Sequence, residues 1–242
     1  MTQATMKLAI LDYGMGNLTS LRNGCRKATG RGTLVRTPSA LDRADALIIP
    51  GVGAFGDGAR GLRPFARAIR DKVDGGSPVL GICLGMQVLF ERSEESPGAS
   101  GLGLLKGSVK RLRPRGGLPV PQMGWNSVKF KGASPLFEGL NDGDYFYFAH
   151  SYACVPKARK EWAGSTDYGG RVCAAVQQGS LFGVQFHPEK SGPSGLKILE
   201  NFADLAAKQR GKGLNPASSS PRRNERVSEG LGTYFVSSAA KG

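Results

Sequence analysis

The sequence predicts an α/β protein with a mixed, mostly parallel central sheet and helices on both faces. Three observations carry this. In the first half, short apolar runs alternate with amphipathic segments across glycine- and proline-rich turns. Strand, turn and helix in repetition is the pattern of parallel strands joined by crossover helices. The second half has shorter strand-like runs broken by Gly and Pro and ends in one helical segment, which makes the sheet mixed. Neither an internal repeat nor a linker composition interrupts the chain before about residue 209, so one continuous domain is expected over residues 1–210.

The elements follow in order. Residues 6–12 (MKLAILD) read as a first buried strand, and residues 17–29 as a helix ending near Gly30. Residues 46–49 (ALII) form a short apolar run stopped by Pro50 and the glycines of PGVGAFGDG. Residues 59–74 carry a helical stripe of Leu62, Phe65, Ala66, Ile69 and Val73. Residues 78–83 are another buried strand, followed at once by a helical LGMQVLFERSEE (84–95). Residues 109–112, 126–130, 145–152, 174–177 and 181–185 read as strands, and 195–208 as the closing helix. From about Gly211 the composition turns to Ser, Pro, Gly and Arg, so residues 211–242 read as a poorly ordered basic tail. Within it, LGTYFVSS (231–238) is a weak candidate for a docking strand.

Hydrophobic residues make up 40% and charged residues 21%, the ordinary balance of a globular protein. No apolar run is long enough to span a bilayer, and the first residues lack the apolar segment and cleavage site of a signal peptide. A cytoplasmic protein with no membrane partner is expected. Cys25, Cys83, Cys154 and Cys173 form no CxxC pair, and free thiols are expected. His150 and His187 are the only histidines, so any mechanism needing an imidazole has two candidates. No metal or cofactor is expected. The net charge of +14 fits either an anionic partner or a solvated basic face. Aromatic residues do not interleave with the basic ones, so no nucleic-acid partner is expected.

The sharpest chemical feature is Gly81-Ile82-Cys83-Leu84-Gly85, placed where a buried strand turns into a helix. This is the nucleophile-elbow pattern with cysteine as the nucleophile. The glycines permit a strained turn that lifts Cys83 above the sheet edge. A helix N-terminus favours the thiolate, and the Leu84 N–H points to where an oxyanion develops. The competing reading of Cys83 is a small buried hydrophobe.

A cysteine nucleophile needs a base, and the base needs an orienting group. Phe186-His187-Pro188-Glu189 supplies both, because in extended chain residues i and i+2 share a side. Glu189 would hold the imidazole tautomer while His187 takes and returns the thiol proton. An ordinary turn histidine beside an exposed glutamate is the alternative. Pro50-Gly51-Val52-Gly53-Ala54-Phe55-Gly56 follows a strand at the carboxyl edge of the sheet. Its backbone N–H groups could complete an oxyanion hole. A phosphate loop is disfavoured by the missing GxxxxGK[ST] pattern, and a plain structural turn stays open.

GICLGMQ after a strand, PGVGAFGDG upstream and FHPEKSG downstream together resemble the class I glutamine amidotransferases, over roughly residues 6–208. The order Cys, His, Glu matches as well. DYGMGN (12–17), MGWN (123–126), YFYFAHSY (145–152) and Met86 after the elbow are similar to the branch that serves histidine biosynthesis. The resemblance implies a flavodoxin-like sheet and hydrolysis of glutamine to glutamate and ammonia through a thioester on Cys83. It implies that Gly51, Val52, Gly53, Leu84, Gln87, His150, Ser151 and Tyr152 form the oxyanion and glutamine sites. It also implies a separate (β/α)8 cyclase subunit as partner, forming a heterodimer. That subunit would receive the ammonia and make imidazole glycerol phosphate and an aminoimidazole carboxamide ribotide, with Trp125, Tyr147 and Lys190 facing it. A glutaminase serving anthranilate or aminodeoxychorismate formation is disfavoured by Met86 and MGWN. A non-catalytic binding module is disfavoured by the presence of Cys83, His187 and Glu189 together.

Overall fold

The computed structural model describes residues 6–211. The expected tail, apart from Gly211, and its candidate docking strand at 231–238 lie outside the described residues. The chain begins with β1 (Leu8–Leu11), α1 (Leu18–Thr29), β2 (Thr33–Val35), α2 (Pro38–Asp42) and β3 (Ala46–Ile49). Then come α3 (Phe55–Leu62), α4 (Ala66–Asp74), β4 (Val79–Ile82) and α5 (Leu84–Gln87). Shorter strands follow: β5 (Arg92–Ser93), β6 (Gly107–Arg111), β7 (Gln122–Ser127), β8 (Lys129–Phe130), β9 (Tyr145–His150) and β10 (Tyr152–Pro156). The last elements are β11 (Trp162–Asp167), β12 (Arg171–Gln178), β13 (Leu181–Val184) and α6 (Gly192–Gly211).

An eight-stranded sheet in the order β2-β1-β3-β4-β13-β12-β11-β8 forms the spine. Strands β2, β1, β3, β4 and β13 run parallel, and β12, β11 and β8 add antiparallel pairs, as the sequence predicts. The parallel strands β1, β3, β4 and β13 are buried at every residue, because helices cover both faces. On one face, Leu21 and Cys25 of α1 and Ile198, Leu199 and Phe202 of α6 pack on the sheet. On the other, Leu41 of α2, Phe55, Ala59 and Leu62 of α3 and Ile69 of α4 do so. Two smaller sheets complete the fold: β10-β6-β5, and the antiparallel ribbon of β7 and β9. Among the described residues, no helix is long and apolar enough to cross a membrane.

Helix α1 is bounded as its sequence dictates. The Asn17 side chain accepts the Ser20 N–H at the start, and Gly30 closes the helix with φ 68°. Elsewhere tertiary contacts override local pattern. The expected helix over 59–74 is two helices divided by a 3-10 turn over Arg63–Phe65, where Pro64 has no N–H to donate. The first half starts early, at Phe55, because Glu95 and Ser96 accept the Phe55 and Gly56 N–H groups at 2.7 and 3.0 Å. The expected helix over 84–95 is a single turn. The carbonyls of Val88, Leu89 and Phe90 accept bonds from Leu102, Leu105 and Gly103, so the chain is drawn into the β5 side of the fold.

The expected strand over 126–130 divides into the end of β7 and β8, and the one over 145–152 breaks at Ser151 between β9 and β10. Strands β2, β5 and β11 went unforeseen. The closing helix also runs longer than expected, from Gly192 to Gly211.

Candidate active site

Strands β4 and β13 are neighbours, with Ile82 opposite Val184. The chain leaves both at the same carboxyl edge. Cys83 follows β4 and donates its N–H to the Val184 carbonyl at 2.8 Å. Its backbone has φ 54° and ψ −111°, and it is the one non-glycine residue with positive φ among those described. A β-carbon added at Gly81 would come 2.5 Å from the Gly85 carbonyl oxygen, and one at Gly85 would collide with the carbonyl of Ile49. The turn therefore needs glycine on both sides, and the strain is stored at Cys83.

After β13 the chain runs through Gln185 and Phe186 to His187. The His187 N–H donates to the Tyr147 carbonyl at 2.9 Å, and the Ser191 hydroxyl donates to the His187 carbonyl at 2.6 Å. These bonds fix the backbone on which the imidazole is mounted. Its Nδ1 meets Glu189 Oε1 at 2.9 Å, and both side chains are 4% exposed. Nε2 is left as the nitrogen free to exchange a proton with the thiol. Burial lowers the His187 pKa, but Cys83 and Glu189 beside it more than reverse this, pushing it up to about 10. The imidazole is thus held between the Cys83 sulfur and the Glu189 carboxylate. Cys25, Cys154 and Cys173 are also buried and free, and burial pushes each of their thiols above the ordinary range.

A cavity of about 340 Å³ opens in front of Cys83. Val52, Gly53, Leu84, Gln87, His150, Ser151 and Tyr152 line it, together with Glu95, Pro121, Met123 and Ala149. Gln87 Nε2 donates to the Tyr152 carbonyl at 2.9 Å and to Gln185 Oε1 at 3.1 Å. His150 Nδ1 meets the Tyr152 carbonyl at 2.8 Å, and since a carbonyl only accepts, Nδ1 carries the proton. Burial is the main cause that lowers the His150 pKa to about 4, so this imidazole is neutral.

Three features of this structure differ from what the sequence leads one to expect. The Leu84 N–H does not point into open space, because it donates to the Gly51 carbonyl at 3.3 Å. Gly51 itself is buried and does not line the cavity, whereas Val52 is 43% exposed. The helix N-terminus expected to favour the thiolate is also one turn only, whose Met86 and Gln87 N–H groups return to the Cys83 carbonyl.

Trp125, Tyr147 and Lys190 lie outside the cavity as one cluster. The Trp125 and Tyr147 rings meet edge to face at 6.3 Å, and Lys190 Nζ stands 5.6 Å from the Tyr147 ring centre. Gln185 and Glu95 were missed by the sequence reading. Gln185 Nε2 lies 3.6 Å from Cys83 Sγ. Its place two residues before His187 was a usable signal, since it faces the same side. Glu95 reaches the cavity from a distant turn, and nothing local marks it.

A strained cysteine elbow beside a His–Glu pair, on a mostly parallel sheet, defines a class of enzyme, and the comparisons agree. The family described as Glutamine amidotransferase class-I matches residues 9–205. The imidazole glycerol phosphate synthase subunit HisH of Moorella thermoacetica is 46% identical over 200 residues, which cover 82% of this chain and 94% of the relative. The HisH subunit of Thermococcus kodakarensis is 46% identical over 203 residues, covering 82% of this chain and all of the relative (100%). A solved glutamine amidotransferase superposes with TM-score 0.66 at 20% identity, covering 83% of this chain and 98% of that one. PurLQS from Thermotoga maritima does so with TM-score 0.65 at 22% identity, covering 84% and 99%. The two structures speak to the fold alone. The chain belongs to the class-I glutamine amidotransferases and, among them, to the HisH subunits.

Proposed function

We propose that this chain is the glutamine-hydrolysing subunit of imidazole glycerol phosphate synthase in histidine biosynthesis, acting through Cys83, His187 and Glu189. The observation that carries the reading is the convergence of the strained Cys83 with the buried His187 and Glu189 pair at the carboxyl ends of adjacent parallel strands.

Cys83 Sγ attacks the side-chain amide carbon of glutamine. The thiol proton passes through His187 to the departing nitrogen, which leaves as ammonia, and a γ-glutamyl thioester remains on Cys83. His187 then takes a proton from water, the water oxygen attacks the thioester, and glutamate leaves as the thiol is restored. Glu189 holds the imidazole tautomer and stabilises its charged form. Gln87, His150, Ser151 and Tyr152 line the cavity, which supports the reading that they hold glutamine.

The transition state needs donors for the oxyanion, and Leu84 N–H is occupied by Gly51. The segment at residues 51–53 must therefore shift to free it and to turn a Val52 or Gly53 N–H inward. A partner that favours the shifted arrangement would switch the glutaminase on.

The exposed faces of β7 and β9 suit such a partner. Met123, which lines the cavity, is 66% exposed, and Trp125 at 55% and Tyr145 at 60% continue this face alongside Tyr147. The partner is a (β/α)8 cyclase that receives the ammonia, and the working complex is a heterodimer in the cytoplasm. The domain spans residues 1–210, with residues 211–242 as an appended basic tail.

Glutamate release measured with and without the cyclase subunit and its bound substrate analogue tests this. Strong release with the occupied cyclase, weak release alone and none from Cys83→Ala are expected. Equal release with and without the cyclase would remove the gating step. No release under either condition would remove the enzyme assignment.

A further inference from the structure

We propose that Tyr13 is a positioning residue whose hydroxyl tethers residues 50–52 in the arrangement that keeps the Leu84 N–H occupied. The inference rests on the glutaminase reading above and adds a residue to it.

Tyr13 follows β1 and is 9% exposed. Its hydroxyl donates to the Pro50 carbonyl at 2.6 Å. The packing around it is built from both sides. A β-carbon at Gly51 would lie 2.8 Å from the Tyr13 oxygen and 2.8 Å from Leu84 Cβ. A β-carbon at Gly61 of α3 would lie 2.9 Å from the Tyr13 ring. The ring is thus wedged between α3 and the segment that borders the cavity. Its own backbone is held by the preceding residue, since the Asp12 N–H donates to Val35 at 2.8 Å and the Asp12 carboxylate pairs with Arg36 at 2.6 Å.

The carbonyls of Pro50 and Gly51 belong to consecutive peptide groups, related only by the two dihedrals of Gly51. Tyr13 fixes the first group, and Leu84 N–H is bound by the second at 3.3 Å. Freeing Leu84 means rotating the second group, with Gly51 as the joint. Val52, 43% exposed, offers little packing against that rotation. The resistance comes from upstream, where the Tyr13 bond stops the Pro50 peptide from following. Burial, with Cys83 nearby, holds the phenol above its ordinary range, so it stays a donor at every working pH. The chain could have placed phenylalanine here for packing alone; the hydroxyl adds a directional bond to the one segment that must move.

The test uses Tyr13→Phe in the full chain, with glutamine turnover measured alone and with the ligand-occupied cyclase. One buried neutral hydrogen bond corresponds to about five- to tenfold in an equilibrium, so partner-free kcat should rise by about that factor. The KM for glutamine should move by less than about twofold, because the tether does not touch substrate. The partner-stimulated kcat should stay at the wild-type value, so the stimulation ratio shrinks.

Gly61→Ala gives an independent probe: its methyl group would come 2.9 Å from both the Tyr13 ring and the Tyr13 carbonyl, so Tyr13 must shift as a whole, and partner-free turnover should rise there too. An unchanged partner-free kcat in both variants, with wild-type melting temperature, overturns the proposal. A parallel fall of the partner-free and stimulated rates overturns it as well and marks Tyr13 as structural. If the wild-type chain releases no glutamate even with the occupied cyclase, the glutaminase reading fails and the tether falls with it. A stimulated wild type with indifferent variants removes the tether alone.

Discussion

The carboxyl edge of the large sheet and the β7–β9 ribbon beside it are built on opposite plans. At the edge, Cys83, His187 and Glu189 stand just beyond the ends of strands buried on both faces, and their side chains are buried. The ribbon is closed on one face only. Phe146 and Phe148 point inward and are fully buried, with Phe146 packed on Phe186 at 4.2 Å between ring centres. Tyr145 and Tyr147, their immediate neighbours, point the other way with Met123 and Trp125. One strand thus braces the segment that carries His187 with alternate residues and leaves the others exposed as an aromatic face. Buried strands set the positions of Cys83, His187 and Glu189, whereas the half-open ribbon presents apolar side chains to the outside.

Four predictions probe that contrast. The largest effect belongs to the edge. Cys83→Ala should lower glutamine turnover in the complex by about 10⁴-fold or more, because no second nucleophile replaces it. Steady-state glutamate release checks this. Next comes the neighbouring pair on β9. Phe146→Ala should cost about 3–5 kcal/mol of stability by leaving a cavity, whereas Tyr145→Ala should stay within about 0.5 kcal/mol. Chemical denaturation of both variants decides whether the two faces differ as described.

The third concerns His150, whose folded pKa is about 4 against an ordinary 6.5. The unfolded chain takes up a proton in that window while the folded chain does not. Stability should therefore be full above 6.5 and fall as the pH drops toward 4, by on the order of 3 kcal/mol from this residue. His150→Gln should flatten that part of the profile in melts across the window. The smallest effect lies on the rim. Trp125→Ala should weaken cyclase binding by about 2 kcal/mol, near thirtyfold in Kd, and leave the melting temperature unchanged. Calorimetric titration with the cyclase measures it.

The parallel core and the elbow were legible in the sequence because both are local. Apolar runs such as 46–49 read as buried strands without reference to anything distant, and glycines flanking Cys83 mark a strained turn. His187 and Glu189 were legible for the same reason, being two residues apart. What escaped depends on contacts far along the chain. The early start of α3 depends on Glu95 and Ser96, and the loss of the helix after Gln87 depends on residues 101–105. The occupied Leu84 N–H was likewise hidden, since it depends on where the Gly51 carbonyl comes to rest. Pro64 was a visible warning that the 59–74 helix would break.

The most direct test of the central claim is to quench the complex during glutamine turnover and weigh the peptide that contains Cys83. A γ-glutamyl adduct on Cys83, absent from Cys83→Ala, is the expected result. An adduct on Cys25, Cys154 or Cys173, or steady glutamate release from the Cys83→Ala chain, would contradict the account.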